Sequence, residues 1–159
     1  MYPSDLPFKY RFLLRTYRWR AAGDVPAAVL ARPIAQARVA LVTSAGLTVR
    51  GDRPFDISIG GGDWSFRTLP RDRGPGTLEM HHKSDAFDAG PLGVDPNVVF
   101  PLDRLRAMAE AGEIGDVAPR HLSFMGSITA PARLVAESAP AAAEVLAADG
   151  VEAALLVPV

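Results

Sequence analysis

Two neighbouring histidines, His81 and His82, stand with Lys83, Ser84, Asp85 and Asp88 in one polar segment of this 159-residue chain. An imidazole titrates near neutrality, so such a segment can move a proton or hold a substrate. Adjacent side chains on an extended backbone point opposite ways, so at most one of the two faces a given site. A metal would need a third ligand, Asp85 or Asp63, and no spacing fixes one; no metal is assigned. A polar loop with satisfied hydrogen bonds would give the same sequence. Upstream, Asp63 and Arg67 lie four apart, with Trp64 and Phe66 between them. On a strand they share a face, where carboxylate and guanidinium could clamp an amino-acid-like zwitterion. A strand-edge ion pair is the plainer reading of that spacing. His121, just ahead of apolar residues, reads as structural, and Asp103 with Arg106 as a solvated helical pair. With no cysteine, the sequence offers no disulfide, thiolate ligand or cysteine nucleophile. No nucleophile, base and orienting group can be assembled from spacing alone.

The hydrophobic pattern supplies the elements that must position these groups. Arg38–Gly46 is the clearest strand, a continuous apolar run that closes in small polar residues and glycine. Thr43, Ser44 and Gly46 then lie at its carboxyl end, which makes Ser44 a candidate substrate contact. Neither this loop nor Gly60–Gly62 carries a Walker or dinucleotide fingerprint, and no cofactor is expected. Asp63–Leu69 alternates like a strand, and Pro70–Gly76 is rich in turn formers. A helix should begin near Pro101, present Leu102, Leu105 and Met108 inward, and stop at Gly112. His121–Gly126 reads as a short strand. Ala130–Ala148 reads as helix, restarted at Pro140, and Asp149-Gly150 as the turn into a final strand. That strand, Val151–Val159, is apolar enough for burial on both faces, yet the loop and covering helix that a parallel sheet requires do not follow it. The N-terminal segment 8–20 reads as a helix with Phe8, Phe12, Leu13 and Trp19 along one stripe and Arg11, Arg15 and Arg18 outside it, packed on the domain.

The alternation of strands and helices predicts one α/β layered domain over residues 1–159, with a largely parallel sheet ending in a strand that lacks its following helix. Composition agrees: 48% of residues are hydrophobic and 22% charged, typical of a globular domain. A net charge of −1 gives no electrostatic reason to expect nucleic acid or a membrane as partner. No signal peptide or membrane span is legible, so the cytoplasm is the expected location. Lysine occurs only at Lys9 and Lys83 while arginine and alanine abound, a codon signature of a GC-rich bacterial genome.

The order of motifs adds a resemblance. Phe8–Arg20, Ala37–Leu47, Gly62–Pro70, His81–Asp88, Asn97–Leu105, Gly112–Gly115, Pro119–Gly126 and Ala148–Val159 resemble, in that order, the glycine/sarcosine/betaine/D-proline reductase selenoprotein B family, and its short stand-alone members most of all. The resemblance implies an oxidoreductase that uses a selenol or thiol pair to split a C–N bond of a small amino-acid-like substrate. It implies a selenocysteine or cysteine, closely followed by a second cysteine, right after the strand corresponding to Ala153–Val159. The expectation is therefore that no catalytic residue lies within the chain, that the redox residue belongs immediately after Val159, and that the sequence stops at a UGA codon. Ser44, Asp63, Arg67, His81, His82 and Asp85 are the substrate-binding candidates. Partners would be the small-molecule substrate and protein subunits of a reductase system, or a second copy. A non-catalytic ligand-binding or complex-forming subunit is the alternative.

Overall fold

The computed structural model describes residues 7–16, 28–83 and 95–159. Its elements are α1 (Phe8–Thr16), β1 (Arg38–Thr43), β2 (Leu47–Val49), β3 (Phe66–Pro70), β4 (Leu78–Met80), α2 (Leu102–Glu110), β5 (Asp116–Val117), β6 (Arg120–Phe124), α3 (Ala139–Ala148) and β7 (Ala153–Val157). The fold is mixed α/β around a largely parallel sheet. β1 runs through its centre, parallel to β7 on one side and to β5 and β6 on the other; β3 closes the far edge antiparallel to β6. β2 and β4 form a separate antiparallel ribbon.

The apolar run of β1 explains its central place: Val39, Ala40 and Leu41 are all buried. Val39 and Leu41 share one core with Leu69 of β3, Val117 of β5, Phe100 and the inward face of α2. Asp95 starts the approach to α2 by accepting the Asn97 N–H at 3.0 Å, and Gly112 ends it in the left-handed region at φ +73°. Leu102 and Leu105 are buried as the spacing requires, but Ala109, not Met108, completes the inner row; Met108 is exposed. Helical geometry places a residue seven after Leu102 back on its face, whereas Met108 falls beyond it.

Three other expectations shift. The strand foreseen at 63–69 starts at Phe66, leaving Asp63 in the preceding turn. The helix foreseen across 130–148 contains a wide π turn at Leu134–Ser138, immediately ahead of α3. Pro140 has no N–H to close the ordinary i→i−4 bond there. Finally, Phe8 and Phe12 of α1 do not pack on the domain: their rings stack on each other at 6.3 Å and stay exposed. Spacing of four satisfies the two rings locally. Residues 17–20 of that segment lie outside the described residues.

β7 is a strand, but not a buried one. It pairs with β1 along its whole length and has no described strand on its other side. Leu155 is 48% and Leu156 68% exposed. As neighbours on a strand they face opposite ways, so apolar surface is open on both faces. The turn that delivers β7 is firmly held: Arg120 grips the Asp149 carboxylate through two bonds of 2.8 and 2.6 Å, and Arg38 donates to the Asp149 carbonyl at 2.7 Å.

Candidate functional site

The carboxyl ends of β1, β6 and β7 converge on Ser44. Its N–H donates to the Val157 carbonyl at 3.1 Å, and its Oγ accepts the Val159 N–H at 2.9 Å. The residue after β1 thereby fixes where β7 ends. Thr43 braces the bend, donating its hydroxyl to the Val99 carbonyl at 2.8 Å and accepting the Ala45 N–H at 3.2 Å. Two glycines then bring the histidine segment in. Gly46, at φ +67°, accepts the His81 N–H at 2.8 Å, and a Cβ there would stand 2.2 Å from the His81 carbonyl oxygen. Only glycine tolerates both the conformation and the approach.

One residue further, the His82 ring lies against Gly126 at the end of β6. A Cβ on Gly126 would stand 2.5 Å from His82 Nε2 and 2.9 Å from the Ser44 carbonyl oxygen. Ser44 and His82, 38 positions apart in sequence, thus share one corner. Beside it opens a cleft of about 240 Å³ walled by Val42, Phe124, Leu156 and Pro158, with Ser44 at its polar side. Lys83 anchors the segment by donating to the Ile59 carbonyl at 2.5 Å. Asp85 lies outside the described residues.

Asp63 and Arg67 form a cluster of their own. The Asp63 carboxylate accepts the N–H groups of Asp56 and Ser65 at 2.9 Å each and the Ser65 hydroxyl at 2.5 Å. Burial pushes its pKa up, but these hydrogen bonds and the Arg67 charge outweigh that and hold it below the ordinary carboxylate value. Arg67 donates to the carbonyls of Arg53, Pro54 and Phe66 and to the Ser65 hydroxyl, lies 3.8 Å from Asp63, and covers the Phe55 ring at 4.3 Å. The donors of its fork are directed into the chain, where they buckle the loop before β3. A second cleft, of about 360 Å³, lies at the opposite, amino end of β1 around Arg71 and Arg106, each already paired with an aspartate. Among the described residues no group of three histidine or acidic side chains is placed to hold a metal ion, and no helix is long and apolar enough to cross a membrane.

Sequence reasoning passed over Gly126 in this corner; its part is a close long-range contact with His82 and the Ser44 carbonyl, which leaves no local pattern. His121, expected to be structural, is fully buried in β6. Its Nδ1 accepts the Leu41 N–H at 3.0 Å, in the gap between the β1–β5 and β1–β6 pairings. Burial and the positive charges of Arg106 and Arg71 push its pKa down to about 4.

The polar corner and the apolar cleft lie at the carboxyl ends of the strands, the edge at which open α/β sheets commonly place their ligand sites. Among such sheets the assignment is specific. Residues 14–159 match the family model of glycine/sarcosine/betaine reductase selenoprotein B, and the chain belongs to that family. It is 36% identical over 118 residues to the D-proline reductase subunit gamma of Acetoanaerobium sticklandii, covering 74% of this chain and 47% of the relative. It is 33% identical over 105 residues to the betaine reductase complex component B subunit beta of Peptoclostridium acidaminophilum, covering 64% of this chain and 23% of the relative. The chain thus spans about half the length of the first relative and about a quarter of the second. No solved structure matches.

Proposed function

We propose that this chain is the substrate-handling α/β part of a reductase of the glycine/sarcosine/betaine/D-proline type, acting on a small amino-acid-like molecule through a selenol or thiol pair that lies beyond Val159. One observation carries the reading: the Val159 N–H bonded to Ser44 Oγ at 2.9 Å, which fastens the end of β7 at the corner that holds His82. A residue following Val159 would enter that corner. A selenol or thiol there, opening the helix that a parallel strand requires, would have its anion stabilised by the helix N-terminus. A nearby second cysteine would then close a selenylsulfide or disulfide. The pair would give up two electrons and two protons, the C–N bond being replaced by one C–H and one N–H bond, and an external dithiol would restore it.

In this reading Ser44 sets the position of the strand end and His82 handles the proton. His81 and Asp85 belong to the same segment, while Asp63 and Arg67 keep the loop before β3 in shape. The named relatives are subunits of reductases, which supports protein partners as well. A cytoplasmic setting goes with a redox pair that a soluble dithiol must regenerate.

Reading the gene past codon 159 tests the proposal. A UGA followed by an open frame with a nearby cysteine and an amphipathic helix supports it. A UAA, a UAG, or a UGA followed by no coherent frame would overturn it. The second reading, a non-catalytic ligand-binding or complex-forming subunit, would then stand, favoured by the exposed apolar faces of β7.

A further inference from the structure

One bond shows which backbone groups of β7 the sheet leaves over. The Val157 carbonyl accepts the Ser44 N–H at 3.1 Å, so Val157 turns its backbone toward β1. Along a strand that direction alternates from residue to residue. Leu155 therefore also turns its backbone to β1, while the N–H and C=O groups of Ala154 and Leu156 point to the open side, where no described strand meets them. Nothing in the strand guards that edge. Ala153–Val157 holds no charge, proline or glycine, and Leu155 and Leu156 are exposed on opposite faces. Natural edges are usually blunted by a lysine, a proline or a bulge.

The strand is complementary to itself. A twofold axis perpendicular to the sheet would pair it antiparallel with a copy, Leu155 opposite the partner's Leu155. Ala154 then faces the partner's Leu156, and Ala153 the partner's Val157, so a small side chain meets a large one on both faces. Each pair of Ala154 with Leu156 brings together the free backbone groups and exchanges both N–H···O bonds; Leu155 takes the closely spaced position between them. No like charges oppose, since Glu152 lies outside the strand and is paired with Arg32 at 2.7 Å. Other registers fit worse. A slip of one residue sets the free groups against groups already bonded to β1. A slip of two sets them against Pro158, which has no N–H, or Glu152, whose N–H already bonds the Arg38 carbonyl at 3.0 Å.

We propose that β7 is the seam of a homodimer, in which two copies of this chain join their sheets antiparallel through Leu155. The strand directions oppose, so the two Ser44 corners lie at opposite edges of the joined sheet. The pairing is independent of the substrate class proposed above. A seam of five residues is small, which makes the dimer weak, with a dissociation constant on the order of 10 μM.

Sedimentation equilibrium of the 159-residue chain should show monomer giving way to dimer between about 1 and about 200 μM. The absence of cysteine makes single-cysteine variants clean reporters of the register. Leu155→Cys sets the two thiols directly opposite each other, within the span of a disulfide. In Leu156→Cys they stand diagonally, at about 7–8 Å or more. Mild oxidation should therefore link Leu155→Cys into dimers about tenfold faster, although Leu156 is the more exposed residue. Thermal unfolding checks that both variants keep the fold. A monomer at every concentration, or Leu156→Cys linking as fast as Leu155→Cys, would overturn the seam, and the edge would then belong to another segment or another subunit.

Discussion

His121 should make this fold acid-sensitive in a way one substitution can isolate. Its Nδ1 faces the Leu41 N–H at 3.0 Å, and a backbone N–H can only donate, so Nδ1 must be an unprotonated acceptor. Protonation would put a donor against a donor inside the sheet. Burial, then the charges of Arg106 and Arg71, lower the folded pKa from 6.5 to about 4. A histidine whose folded pKa lies below its unfolded value takes its proton more readily once the chain unfolds. Its contribution to stability is therefore intact above about pH 6.5 and declines as the pH drops from there toward about 4. Linkage between those two values gives a loss of roughly 2 kcal/mol at about pH 5 and roughly 3 kcal/mol by about pH 4.

The assay is urea unfolding of the unaltered chain and His121→Gln at about pH 7.5 and about pH 5. Glutamine offers a carbonyl oxygen to the Leu41 N–H and does not titrate. Differences between the two proteins cancel the remaining groups, including carboxylates such as Asp63, whose lowered pKa moves its own loss to more acidic conditions. The unaltered chain should lose about 2 kcal/mol more than His121→Gln across that interval. His121→Leu should lack the slope too, but start lower by about 1–3 kcal/mol, because the buried Leu41 N–H is left unmet. Equal pH dependence in the unaltered chain and His121→Gln would refute the reasoning.

Other outcomes follow from the same contacts. Gly126→Ala should cost about 1–3 kcal/mol in unfolding experiments, since its methyl meets the Ser44 carbonyl as well as the movable His82 ring. The His82 imidazole resonances should shift in the same variant; an unmoved His82 spectrum would contradict the corner described. Leu156→Lys should raise the soluble, monomeric fraction on size exclusion, because it interrupts the apolar surface of an edge that no described strand pairs; a clean monomer for the unaltered chain would count against any need to cover β7. Incubated with a dithiol and D-proline, glycine or betaine, the 159-residue chain should form no product, and measurable turnover would refute a redox pair located beyond Val159.

Legibility in the sequence tracked how local each cause is. β1 is readable because the unbroken apolar run Val39–Val42 is what a strand crossing the middle of a sheet needs, and α2 because its inner face recurs at helical spacing and Gly112 stops it. The Asp63–Arg67 spacing was visible too, but not its use: alternation suggested a strand face, whereas Asp63 caps a turn by gathering the N–H groups of Asp56 and Ser65. The π turn before α3 depends on one missing N–H at Pro140, a defect that hydrophobic periodicity does not register. Ser44 was singled out for its place after a strand, and His82 for its chemistry. Their meeting across Gly126 is set by the close approach at Gly46, and no spacing rule contains it.

The geometry of β7 ties these levels together. Among the described residues β7 is paired only by β1, and while Ala153 and Val157 pack against the core, Leu155 and Leu156 are left in water on opposite faces. Even so its direction is held at both ends, by the Arg120–Asp149 grip where it begins and by Ser44 where it finishes. Apolar burial supplies only part of what fixes its end, because Val157 packs against the core while Leu156 stays exposed. The bonds to Ser44 add direction to that packing, and they hold the end in the corner where His82 and Gly126 already lie. Polar groups that orient a strand end more firmly than its packing requires are what a reaction needing one residue at one point would demand. That argument favours a reactive group beyond Val159 over a binding surface formed by the leucines alone, since a docking face would need the apolar side chains and would be indifferent to Ser44. Ser44→Ala therefore separates the two: association through β7 should survive it, while ligand binding at the strand ends should not.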